Sequence, residues 1–366
     1  MPFLLTRIAR GLPDTIPFVA PEAIERRSGV PIRARIGANE SGFGPSPKVI
    51  AAIAEAAPGT WQYGDPEIFD LRADLSRHLG VPADNIVIGE GIDGLHGLIA
   101  RLIIEPGDVA VTSLGAYPTF NYHVAGFGGR LVAVPYTGFR EDLEALATTA
   151  RREQAKVIYL SNPDNPMGTW WSAADIERFI DLVPETTLIV LDEAYCETAL
   201  SGTLPPIDLV RPNLIRTRTF SKAYGLAGAR VGYAIGEPGF IRAFNKVRNH
   251  FGVNRLGQVA ARVALADQPY LNEVVAKVAA GRIRIAEIAA AAGLASIPSS
   301  TNFVAVDCGR DGAYALAVLK ALEARGVFVR KPMAPGLDRH IRISVGRPEE
   351  LDVLAEVLPP ALRDAG

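Results

Sequence analysis

An alternation restricts this chain more than any other feature. Between residues 81 and 236, short, near-continuous runs of Val, Ile and Leu take turns with stretches whose apolar residues recur at helical spacing. The runs at 85–88, 109–112, 157–160, 188–191, 214–216 and 231–235 read as strands buried on both faces, since a strand with one wet face would alternate polar and apolar residues. Between the first two, Leu95, Leu98, Ile99, Leu102 and Ile103 mark one face of a helix. Strands separated by helices in this way imply an α/β fold, a largely parallel sheet with helices on both sides. After about Pro269 the character changes. A helical stretch follows, and the Ala-rich run at 286–295 reads as helix because alanine is the best helix former. Then come a strand at 302–306, a helix at 314–325, strands at 327–330 and 340–345, and a last helix entered through Pro348 with Glu349 and Glu350 behind it. The expected division is an N-terminal segment, 1–38, packing on a small C-terminal α/β domain, 269–366, with a large domain, 39–268, between them.

Composition narrows the function. The 366 residues are 48% hydrophobic, enough for a sizeable core. A net charge of −2 without a basic block argues against a nucleic-acid partner. Cys196 and Cys308 are the two cysteines, too far apart in sequence to suggest a disulfide framework or a thiolate metal site. The apolar run within residues 1–10 is too short for a signal peptide, and no stretch reaches the length of a membrane span. A cytoplasmic protein with no membrane partner and no metal is expected.

The chemistry sits where the buried strands end, which in open α/β sheets is where ligands bind. After 157–160 comes Ser161-Asn162-Pro163-Asp164-Asn165-Pro166-Met167-Gly168. After 188–191 comes Asp192-Glu193-Ala194-Tyr195, and after 214–216 comes Thr219-Phe220-Ser221-Lys222, with Arg230 eight residues on. The first strand leads into Gly89-Glu90-Gly91-Ile92-Asp93-Gly94, a Gly-rich turn opening a helix. Each piece alone has an ordinary reading: a surface Ser-Lys pair, a polar loop, a turn. Together they suggest a cationic aromatic cofactor with a phosphate tail. An aspartate at the end of a buried strand needs a positive partner, and a protonated pyridine nitrogen is one. A helix N-terminus offers backbone N–H groups to phosphate, and Ser221 and Arg230 add a hydroxyl and a guanidinium. A lysine beside them can form a Schiff base once desolvation and positive neighbours lower its pKa.

These motifs resemble the fold-type I pyridoxal-phosphate (PLP) aminotransferases, and within them the histidinol-phosphate aminotransferase family. The resemblance runs over nearly the whole chain. It is carried by Gly37-Ala38-Asn39-Glu40-Ser41-Gly42-Phe43-Gly44-Pro45-Ser46-Pro47, Trp61-Gln62-Tyr63-Gly64-Asp65-Pro66, the segment ending in Gly168, Asp192 to Tyr195, Ser221 to Arg230, and Arg342-Ile343-Ser344-Val345-Gly346. The resemblance implies that Lys222 bonds the cofactor and moves the proton between substrate Cα and cofactor C4′. Asp192 would keep the pyridine nitrogen protonated, making the ring an electron sink. Asn165 and Tyr195 would hydrogen-bond the ring's phenolic oxygen, and Tyr117 would stack on its face. Backbone N–H groups of Ile92 and Asp93, with Ser221, Arg230 and Tyr63, would hold the phosphate. In the family that tyrosine comes from the neighbouring subunit, which implies a homodimer with shared active sites. Arg342 would clamp the substrate α-carboxylate, Arg330 sits where the family has a second substrate-site arginine, and Asn39 is either a substrate contact or a turn former.

The match has departures. Where the family carries a tyrosine that helps bind the substrate's phosphate, this chain reads Ile16-Pro17-Phe18-Val19. Arg255 is unusual in the segment Phe251-Gly252-Val253-Asn254-Arg255, and Gly94 replaces an acidic residue. One lost hydrogen bond to a charged group is worth about 1.5–3 kcal/mol, enough to change a preference tenfold. The departures predict a related aminotransferase with a different donor, aromatic if Phe18 decides and anionic if Arg255 does. The competing reading on the same fold is a PLP decarboxylase or lyase similar to the threonine-phosphate decarboxylases. A transcription regulator's sensing module needs a basic DNA-binding helix that this sequence lacks. A dinucleotide enzyme needs a glycine spacing that Gly89 to Gly94 does not have.

Overall fold

Seven strands form the central sheet: β2 (Ile86–Gly89), β3 (Val109–Ser113), β4 (Arg130–Val134), β5 (Val157–Ser161), β6 (Leu188–Asp192), β7 (Leu214–Thr219) and β8 (Gly232–Gly236), in the order β2-β8-β7-β6-β5-β3-β4. A two-residue strand, β1 (Ala34–Arg35), precedes them. The computed structural model of the chain describes residues 4–14 and 18–366, so Ile16 and Pro17 lie outside the described residues. β4, β3, β5, β6 and β7 are mutually parallel, while β8 runs antiparallel to both β7 and β2. β2 therefore shares the direction of the parallel five. Their carboxyl ends open on one edge of the sheet, and β8 enters from that same edge.

Alternate residues explain the layering. Val157 and Tyr159 join Val87, Val190 and Ile215 in one apolar cluster beneath the helix Gly91–Ile103. Ile158 and Leu160 face the opposite cluster with Ile189, Leu191 and the helices Leu143–Arg152 and Ala173–Leu182. Both faces are covered, which is why these strands are near-continuously aliphatic. β4 was not among the expected strands. It lies at the sheet edge with a partly exposed pattern, so its residues are less uniformly aliphatic than those of the buried strands.

The C-terminal part has its own sheets. β10 (Phe303–Asp307) pairs antiparallel with both β9 (Ala295–Ser296) and β12 (His340–Ser344), and β1 pairs parallel with β11 (Val327–Phe328). Ala34 and Ile36 pack in the cluster of Val304, Val318, Ile341 and Leu354, so the N-terminal strand is built into this second core. The helix Gln268–Ala291 bridges the two parts, with Leu271 in a cluster with Leu71, Phe220 and Ala260, and Val274, Val278 and Ile285 in the second core. The helix expected to reach residue 295 stops at Ala291. Gly293 adopts φ +77°, which glycine reaches without cost, and Ala295 begins β9. The strand expected over 327–330 is shorter too; beyond Phe328 only an antiparallel bridge, Arg330 to Arg342, continues the pairing.

Candidate active site

The shared edge of the parallel strands opens into a cavity of about 850 Å³ between the two cores. Twelve of the residues singled out in the sequence line it: Asn39, Ile92, Asp93, Tyr117, Asn165, Asp192, Tyr195, Ser221, Lys222, Arg230, Arg330 and Arg342. Strand direction is the reason. The exits of β2, β3, β5, β6 and β7 supply eight of them, and the approach to β8 supplies Arg230.

One end of the cavity is built for an anion. The helix Gly91–Ile103 points its N-terminus there, and no side chain caps it. Gly91 has φ +74°, and a Cβ on it would sit 2.6 Å from Arg230 Nη2, so the guanidinium lies directly against the turn. Arg230 donates to Ser221 Oγ at 3.4 Å and is itself left-handed at φ 57°, a conformation costly for a residue with a Cβ. Asp93 turns its carboxylate to His123 Nε2 at 3.0 Å, and that contact holds it below the usual carboxylate range.

At the centre, Asp192 accepts from the Tyr159 hydroxyl on Oδ2 at 2.8 Å and from the Ala194 N–H on Oδ1 at 2.9 Å. Burial pushes its carboxyl up to about 6. Lys222 Nζ lies 5.7 Å from the centre of the Tyr195 ring, and burial, then Arg342, bring its amine down to about 8. Tyr195 Oη accepts from Asn39 Nδ2 at 2.9 Å and from Asn165 Nδ2 at 3.2 Å. Asn39, at φ 55°, is fixed in turn by Ser344, whose Oγ accepts from its backbone N–H and donates to its Oδ1, both at 2.9 Å.

The far side carries guanidinium groups. Arg342 donates to Asn165 Oδ1 and to Gly37 O, and its buried Nε has no protein acceptor. Arg330 donates to Val19 O at 2.5 Å. Neither pairs with a carboxylate among the described residues. Arg35, missed in the sequence, also lines the cavity, but Glu40 takes its charge through bonds of 2.7 and 2.8 Å, and Glu22 adds a further contact. Phe18 stacks on Tyr117 at 6.1 Å and meets Tyr122 edge-on at 6.4 Å, forming an aromatic wall at the mouth.

Two expected residues lie elsewhere. Tyr63 is 79% exposed, pairs with Phe251 at 4.7 Å, and does not line its own chain's cavity. Arg255 packs against Gly59, outside the cavity lining, while Asn254 caps the following helix by accepting from Gly257 N–H at 2.7 Å. Tyr159 and His96 were missed. Both carried a signal: each is a polar aromatic interrupting an aliphatic run that its neighbours bury.

Known proteins place this geometry in context. The family described as aminotransferase class I and II matches residues 34–358. A histidinol-phosphate aminotransferase of Roseiflexus castenholzii is 39% identical over 98% of this chain and 99% of its own length. One from Carboxydothermus hydrogenoformans is 36% identical over 97% of this chain and 100% of its own. Among solved structures, the histidinol-phosphate aminotransferase of Sinorhizobium meliloti in complex with pyridoxal-5′-phosphate is 57% identical, with a TM-score of 0.97 covering 99% of this chain and 98% of that one.

Proposed function

The chain belongs to the class I and II aminotransferase family, and on that premise we propose how its cavity works. It is a PLP-dependent aminotransferase of the histidinol-phosphate aminotransferase type. Three features of the cavity fit the cofactor. An uncapped helix N-terminus beside Arg230 and Ser221 suits a phosphate. A buried carboxylate at Asp192 suits a protonated ring nitrogen. A lysine amine suits an aldehyde, and the convergence of Lys222 with Asp192, Ser221 and Arg230 on one cavity carries the reading. When bound, PLP supplies a carbon that takes up the amino group and a ring that accepts the electron pair left at Cα.

The protein's own groups do the rest. Lys222, whose amine burial brings down to about 8, would hold the cofactor's aldehyde carbon, and its free amine would carry the proton to and from substrate Cα. Asp192 orients the ring through its nitrogen. Tyr195 and Asn165 offer hydrogen bonds to the phenolic oxygen, and Tyr117 covers the ring face. Arg342 clamps the substrate carboxylate, for which its free Nε is a ready donor.

For the amino donor, we favour histidinol phosphate with a 2-oxo acid as acceptor. Arg330 and Arg342, neither neutralised by a carboxylate, form a paired cationic surface suited to a phosphate ester in one half-reaction and a carboxylate in the other. Arg255 lies outside its own chain's cavity, which weakens the anionic alternative that rested on it. The aromatic wall of Phe18, Tyr117 and Tyr122 keeps an aromatic amino acid as the second reading. The decarboxylase alternative finds no support among the relatives described above. A donor panel with 2-oxoglutarate decides: histidinol phosphate should exceed phenylalanine and tyrosine in kcat/KM at least tenfold, and the reverse order would establish the aromatic reading.

The remaining parts belong to the same proposal. Residues 39–268 and 269–366 act as large and small units, supported by the separate apolar clusters; of the preceding segment Ala34 and Ile36 pack on the small unit, while Phe18 meets Tyr117 and Tyr122 of the large one. A second copy covers Tyr63 and completes the phosphate site, supported by an exposed aromatic patch of Trp61, Tyr63, Phe69 and Phe251. The protein works in the cytoplasm, where its two free cysteines stay reduced. Among the described residues no helix is long and apolar enough to cross a membrane.

A further inference from the structure

One hydroxyl in the cavity has no part in the reaction described so far. Tyr159 sits in the middle of β5, paired with Val190 on β6, which puts it on the same sheet face as Asp192. Its ring stacks on Phe120 at 5.1 Å with an interplanar angle of 15°, and His96 closes the edge at 5.4 Å and 88°. His96 also meets Phe120 at 5.6 Å. The ring is clamped, and phenylalanine would fill the same space. What the tyrosine adds is one buried donor, aimed at Asp192 Oδ2 from 2.8 Å.

We propose that Tyr159 is a positioning residue for Asp192, its hydroxyl fixing Oδ2 and keeping the carboxylate ionised, so that the cofactor's ring nitrogen meets an anion. The proposal rests on the reading of Asp192 as the ring-nitrogen partner. With Ala194 N–H on Oδ1, each carboxylate oxygen has a fixed donor and the group cannot rotate.

The other charged and titratable groups around Asp192 do not replace Tyr159. His96, on the helix Gly91–Ile103, is kept neutral by burial, which takes it down to about 3, and its Nε2 is 3.9 Å from Oδ2. Glu193, next in the chain, is occupied by Arg216 at 2.6 Å and Arg218 at 2.7 Å. Glu141, behind β5, is pushed well up by burial. Tyr117 and Tyr195 face the site across the cavity, and both are held protonated by burial. Lys222 supplies charge from the loop after β7. Among the described residues, Tyr159 is the side chain that donates to Asp192. Without its bond, which favours the charged form, the carboxyl would take up a proton at higher pH.

The test uses pyridoxamine 5′-phosphate, which binds without a bond to Lys222, and measures its dissociation constant by calorimetry at pH 8 and pH 6. Tyr159→Phe and the wild-type protein should bind within about threefold of each other at pH 8. By pH 6 the gap should widen by about tenfold, because the variant carboxyl is then largely protonated. A ratio that stays constant between the two pH values overturns the proposal, since lost packing does not titrate. Phe120→Leu loosens the stack that aims the hydroxyl but leaves every polar group, and should show the same trend in smaller measure. It also serves as the test should Tyr159→Phe fail to fold. Asp192→Asn separates this proposal from the reading beneath it. If that substitution leaves affinity unchanged at both pH values, both fall. If it weakens binding while the Tyr159→Phe ratio stays flat, the role of Tyr159 alone is refuted.

Discussion

Asp192 is expensive for the fold in the absence of its cofactor. Its carboxyl is at about 6 in the folded protein, against about 3.9 in an unfolded chain. Between those values the folded state binds more protons than the unfolded one. Stability therefore falls as pH rises through this window, and the full penalty, on the order of 2–3 kcal/mol, is present above it. Asp192→Asn removes the charge. It should raise the melting temperature of the cofactor-free protein at pH 8, and the gain should shrink on acidification below about pH 6. The same substitution should weaken cofactor binding. A gain equal at all pH values, or none at pH 8, would show that burial of this charge is not what the fold opposes. Lys222 has the mirror relation: its lowered pKa leaves a neutral amine in the pocket, and stability should rise with pH through about 8 to 10.

At the scale of elements, the active edge follows from strand direction. Five parallel strands and β2 deliver their carboxyl ends together, and the loops after β2, β3, β5, β6 and β7 bring their polar groups to the cavity. This much was legible in the sequence, because buried parallel strands must be aliphatic and the first polar residue after each run marks its exit. Asp192 and Lys222 were found that way. β4 was not, since a partly exposed edge strand has a weaker pattern. Tyr159 and His96 stand out in sequence as polar aromatics among buried aliphatic residues, but the groups they meet come from a neighbouring strand and helix, and pairing across a sheet is invisible to local spacing. The end of the Ala-rich helix was misjudged because propensity favoured continuation while Gly293 turned the chain. The same edge makes a prediction about the phosphate turn. Gly91→Ala forces a Cβ into the left-handed region, at about 1–2 kcal/mol, and into Arg230. Cofactor affinity should fall at least tenfold while the central sheet stays folded by circular dichroism. Unchanged affinity would mean that the phosphate sits elsewhere.

At the scale of the whole molecule, the proposed phosphate site of one chain lacks Tyr63, which the proposal takes from a second copy. Tyr63 stands out on an aromatic patch and outside its own cavity. A two-fold dimer would carry each Tyr63 to the partner's site. Inactive Tyr63→Ala and Lys222→Ala proteins, mixed and allowed to exchange subunits, should then recover roughly a quarter of wild-type activity, since half the dimers are hybrids and each hybrid holds one intact site. No recovery despite proven exchange would make each chain self-sufficient. Behind all of this stands a covalent claim: the amine of Lys222 is the group that holds the cofactor. Borohydride reduction of the PLP-loaded protein, followed by peptide mass mapping, reads it directly. The account predicts a single pyridoxyl-phosphate mass addition on the peptide carrying Ser221 and Lys222. The same addition on a different lysine, or none on a protein that binds PLP, would contradict it.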